Sequence, residues 1–121
     1  MTTKIVNLTQ HTGTPDQVAE GLVEPLDKKE VQELLTFTDV PEKEDIWDRA
    51  ERLAEIAEEN GAEKALIGGA LWLMYPLSEC LKDCGIIPVF SFSVRKSVDI
   101  PQSDGTVVKK AIFKHKCFFE A

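Results

Sequence analysis

Thr9, Gln10 and His11 close the run KIVNLTQH and put a hydroxyl, an amide and an imidazole in successive positions. Histidine is the side chain that changes charge near neutral pH, so an imidazole at the mouth of a loop suits proton transfer. The second histidine, His115, lies in the run FKHKCF. Two further sets carry chemistry. Gly68, Gly69 and Ala70 precede a helical stretch, where backbone N–H groups and the helix dipole attract an anion. Arg95 and Lys96 end the run IIPVFSFSV and either neutralise phosphate or simply solvate a strand terminus. No metal is expected, because two histidines without carboxylates or thiolates at ligand spacing do not make a site. No GxSxG elbow marks a serine hydrolase. Each candidate also has a plain structural role: a hydrogen-bonded loop histidine, a tight glycine turn, or an edge strand defended by Lys109, Lys110, Lys114 and Lys116.

The elements that position these groups fit a single domain over residues 1–121. KIVNL reads as a first strand. Thr14 offers an N-cap with Pro15 at the first helical position and Gln17 at N3, a capping-box pattern that starts a short helix. His11 therefore sits between a strand's end and a helix's start. Asp27 to Leu35 is a second amphipathic candidate. From about Asp45 a longer helix places Ile46, Ala50, Leu53 and Ala57 on one stripe and stops at Gly61. ALI, then a helix with Leu73, Leu77, Cys80, Leu81 and Cys84 on its apolar side, then IIPVFSFSV, form a strand-helix-strand crossover unit. Pro76 is expected early in that helix or at a bend. SDGT turns the chain into a hairpin whose returning strand is VVKKAIFKHKCFF. Trp72, Met74 and Tyr75 read as packing residues, with one aromatic free to contact an adenine. The fold class is thus α/β: a Rossmann-like open sheet, mainly parallel, with an antiparallel C-terminal hairpin at its edge. Ligands of such sheets bind beyond the carboxyl ends of the parallel strands.

Charge is unevenly distributed. Residues 1–94 hold 8 Lys and Arg against 18 Asp and Glu, and residues 95–121 hold 6 against 3. An acidic body repels duplex nucleic acid, but a small phosphorylated ligand in a local pocket is screened from distant charge beyond about 8 Å. Cys80, Cys84 and Cys117 are an odd count, read as reduced core thiols of a cytoplasmic protein. MTTKIVNLTQ lacks the pattern of a signal peptide, and no apolar stretch of about 18 residues spans a membrane.

In order and spacing these segments resemble the small CARF-like ring nucleases of type III CRISPR systems. The resemblance rests on a first strand ending near His11 with Thr14 and Gln17 following, and on the Gly-Ala turn before a central helix. It also rests on GIIPVFSFSVRKS (Gly85 to Ser97) and FKHKCF (Phe113 to Phe118). It covers most of the chain, most strongly from Gly69 to Phe118. Gln10 stands where a serine is familiar, and Gly68 where an acidic residue is.

The resemblance implies a homodimer that binds a cyclic oligoadenylate, the four-membered ring above others, and cleaves it without metal or other cofactor. A ribose 2′-hydroxyl would attack the adjacent phosphorus. Arg95 or Lys96 would stabilise the charge, the Gly69 and Ala70 backbone would hold a phosphate, and His11 would transfer a proton or align the hydroxyl. Thr9, Gln10, Gly68, Ser91, Ser93 and, less directly, His115 would bind the ligand. Two alternatives use other chemistry: a sponge that binds the same messenger without cleaving it, and an acidic phage or mobile-element protein that docks through Glu51 to Glu59 on a basic partner.

Overall fold

The computed structural model describes residues 3–121. In chain order the elements are β1 (Ile5–Leu8), α1 (Pro15–Ala19), β2 (Leu22–Val23), α2 (Lys28–Leu34), α3 (Lys43–Glu59), β3 (Lys64–Ile67), α4 (Leu71–Asp83), β4 (Ile87–Pro101) and β5 (Val107–Glu120). They build one sheet in the order β2-β1-β3-β4-β5. Its first four strands are parallel, and β5 runs antiparallel to β4 at the edge. This is the Rossmann-like open α/β sheet expected from the sequence. The two-residue β2 is an addition, since LV is too short to show a strand period.

Strand alternation sends Val6, Leu8, Ala65 and Ile67 to one face, where α3 and α4 cover them with Leu53, Ala57, Leu73, Leu77 and Leu81. Of the expected stripes, Ala50, Leu53, Ala57, Leu73, Leu77 and Leu81 are buried, and Ile46, Cys80 and Cys84 pack partly buried against the core. These leucines are fully enclosed, and cutting one to alanine costs about 2–5 kcal/mol. Pro76 is also buried, but it lies in the second turn of α4, inside the helix, where it forgoes the hydrogen bond to the Trp72 carbonyl. Cys80 and Cys84 pack against this core, and burial pushes both thiols up, so they stay protonated. Cys117 departs from expectation: it is exposed on β5.

The opposite face is thinly clothed. Ile5, Leu22, Leu66 and Val89 form a small cluster with Phe118, and the helix on this side is α1, five residues long with none buried. What holds α1 there is polar, as described below.

β4 pairs with β3 only through Ile87, Pro88 and Val89. Beyond that point β4 has only β5 as a ladder partner, as far as Pro101 opposite Val107. A β-bulge at Phe92 and Ser93 marks where this two-stranded ribbon leaves the body. Among the described residues no helix is long and apolar enough to cross a membrane.

Candidate functional site

The parallel strands β1, β3 and β4 end at a cleft of about 360 Å³, within the range of small-ligand sites. Thr9, Gln10, His11 and Thr12 form one wall, Gly68 and Gly69 a second, and Ser91 with Phe90 and Gln17 the third. Six of the residues expected at the site from the sequence therefore meet here. Ala70, the seventh, is the adjacent N-cap of α4 and supplies no side-chain cap, which leaves the helix's first N–H groups without one. Gly69 has φ of +112°, a conformation that disfavours any side chain.

The His11 loop is pinned from behind by Asn7, whose side-chain amide is buried. Its Nδ2 donates to the His11 carbonyl at 2.7 Å and to Glu24 at 2.9 Å. Its Oδ1 accepts from the Thr9 backbone N–H at 3.0 Å and the Thr9 hydroxyl at 2.6 Å. Lys28 adds donations to the Thr9 and His11 carbonyls at 2.6 and 3.2 Å while pairing with Glu24. A buried amide with every valence used fixes geometry, because no alternative placement satisfies it. Gly13 completes the turn: a Cβ there would stand 2.5 Å from the Leu22 side chain. The imidazole of His11 itself is presented to solvent.

A second polar chain crosses the thin face. Thr14 and Gln17 form the expected capping box, with the Thr14 N–H donating to Gln17 Oε1 at 2.9 Å. That bond sets which end of the amide is oxygen, so Gln17 Nε2 donates to Ser91 Oγ at 3.2 Å. Ser91 Oγ lies 2.8 Å from His115 Nδ1, and His115 Nε2 lies 2.8 Å from Glu20 Oε1. The carboxylate only accepts, so Nε2 carries the proton, and in a neutral ring Nδ1 accepts the Ser91 hydroxyl. The chain thus runs as consecutive donors, Gln17 to Ser91, Ser91 to His115, His115 to Glu20. Of its members, Gln17 and Ser91 line the cleft. The His115 side chain is 97% enclosed, being 3% exposed, with its ring 4.6 Å from that of Phe118.

His115, ranked behind His11 in the sequence, stands behind this wall, bonded to Ser91, and does not itself line the cleft. The signal was present only as a basic strand read as an edge, since nothing local ties it to Glu20, 95 residues away. Ser93, Arg95 and Lys96 stand apart. They lie past the bulge on the exposed ribbon, paired across to His115, Phe113 and Ile112, and none lines the cleft. Among the described residues no Lys or Arg lines it, Lys28 being bonded to the backbone of the His11 loop. Trp72 is half exposed and packs edge-on against Phe37, away from the cleft lining. Among the described residues no group of three His, Cys, Asp or Glu is placed to hold a metal ion.

One family model matches the chain, over residues 3–119, and its description is the uncharacterized protein MJ1673 family; the chain belongs to that family. No curated protein and no solved structure matches it.

Proposed function

We propose that this member of the MJ1673 family binds a cyclic oligoadenylate, the four-membered ring above others, in the cleft at the ends of β1, β3 and β4, and cleaves it without metal. The observation that carries the reading is the donor chain that passes through Ser91 on the cleft that His11 also lines. Cleavage by an internal nucleophile needs a base near the ribose and an acid near the leaving oxygen, and two histidines supply both. Ser91 receives the 2′-hydroxyl proton while its own proton passes to His115 Nδ1. The 2′ oxygen bonds to phosphorus, the bond to the 5′ oxygen breaks, and His11 as imidazolium protonates that oxygen. A 2′,3′-cyclic phosphate and a 5′-hydroxyl result, with no water consumed. Glu20 stabilises the charge that His115 acquires, and the uncapped start of α4 beside Gly69 faces the phosphate. The ligand class comes from the sequence resemblance to type III ring nucleases.

The test is direct. Purified protein incubated with cyclic tri-, tetra- and hexa-adenylate in excess EDTA is expected to convert the tetra-adenylate ring to linear products ending in cyclic phosphate. Intact rings in every incubation would overturn the catalytic reading. Retained binding in the same samples identifies a sponge.

The same chain favours a second reading. Serine, histidine and carboxylate in series resemble an acyl-transfer triad, although the serine meets Nδ1 rather than Nε2. A nucleophilic Ser91 forms a covalent adduct with an alkyl fluorophosphonate, which intact-mass spectrometry detects. For a proton relay the expected result is no adduct.

A further inference from the structure

Helix α1 buries no side chain, yet it carries both ends of the polar chain behind the cleft. Gln17 and Glu20 are three residues apart and so lie on one side of the helix, while β4 and β5 supply Ser91 and His115 between them. We propose that Gln17 is a positioning residue, whose amide sets the direction in which the Ser91 hydroxyl donates and so makes His115 the final acceptor of the ribose proton.

A serine hydroxyl has one proton to give and two lone pairs. Gln17 Nε2 fills one lone pair from 3.2 Å, and the proton goes to His115 Nδ1 at 2.8 Å. One lone pair remains on a residue that lines the cleft, and it receives the 2′-hydroxyl. Nothing in Ser91 itself chooses between Gln17 and His115 as its acceptor. The choice is made at the start of α1, where Gln17 Oε1 accepts the Thr14 N–H at 2.9 Å. A turned amide would set two donors face to face at Thr14 and offer Ser91 an acceptor instead. The capping box that starts the helix therefore also orients the proton path. That direction stands on hydrogen-bond geometry, while its bearing on cleavage rests on the function proposed above.

Gln17→Glu tests the two separately. A glutamate at this position of a capping box still accepts the Thr14 N–H, so α1 should keep its start and the melting temperature should stay level. It has no proton to donate. The Ser91 hydroxyl then turns to the new carboxylate, and His115, left with an acceptor at each ring nitrogen, gains a proton on Nδ1. Imidazole nitrogen NMR at about pH 8, above the ordinary titration range of histidine, reads this directly, with His11→Ala assigning the other ring. The parent is expected to show Nε2 protonated and Nδ1 bare, and Gln17→Glu to show both protonated. The same pattern in both proteins overturns the proposal. So does a proton gained equally when Gln17→Glu is combined with Ser91→Ala, which would make it an effect of the added charge alone. At saturating cyclic tetra-adenylate, Gln17→Glu should lower kcat roughly 10²-fold. An unchanged kcat in a variant whose ring has gained the proton ends the positioning role. A parent that cleaves no ring sinks the function instead, and the NMR comparison still judges Gln17.

Discussion

His11→Ala is expected to slow cleavage of cyclic tetra-adenylate by about 10²-fold or more, the usual scale for a proton-transfer group, with affinity nearly unchanged. The separation of rate from binding follows from how the loop is built. Asn7 and Lys28 hold the His11 carbonyl, not its ring, so removing the imidazole leaves the loop's anchors in place. Single-turnover cleavage and equilibrium binding decide the matter, because a binding loss equal to the rate loss makes His11 a contact rather than an acid.

Breaking the second chain is expected to cost as much. His115→Ala removes the acceptor of the Ser91 proton and should lower the cleavage rate by roughly 10²- to 10⁴-fold. A melting change alone would be ambiguous, since His115 also ties β5 to α1. Glu20→Gln resolves this. The amide oxygen still accepts from Nε2 and keeps the ring in place, but no negative charge remains to stabilise the imidazolium. Folding should survive, KM should stay level, and kcat should fall roughly 10- to 10²-fold. An unaltered kcat in Glu20→Gln and in Ser91→Ala together would make the whole chain a structural strut.

Local chemistry in the sequence carried much of this fold. Thr14, Pro15 and Gln17 announce the start of α1, and the capping box is there. The alternation after SDGT announces the hairpin, and the stripes of α3 and α4 announce the core. Half of the site was legible for the same reason: the groups at strand ends of an open sheet converge wherever the sheet is parallel. What local patterns omit is where a strand stops having a neighbour. β3 ends at Ile67, so β4 leaves the sheet after Val89, and Arg95 and Lys96 travel outward with it. Nor could the acidic face of α3 be judged from composition. Arg52 engages Glu30, Glu55 and Glu59 at 2.8 to 3.1 Å, so part of the charge read as free for a basic partner is already matched at home. Asn7 was missed because a lone amide in an apolar run has no periodicity; its meaning lies in Glu24 and Lys28, which only the β1-β2 pairing brings near.

The bond between Glu20 and His115 joins residues 95 positions apart. Helix α1 is far shorter than the length at which a helix persists on its own, and it buries nothing. During synthesis β1 and its loop leave the ribosome well before β5, so the surface that α1 rests on is completed only when β5 emerges. The cleft's third wall is therefore the final part to close, and contacts so distant in sequence form slowly. A chain cut short before His115 would keep the residues of its α3 and α4 core and lack the bond that holds α1 against β5, so this wall of the cleft waits on a strand far along the chain.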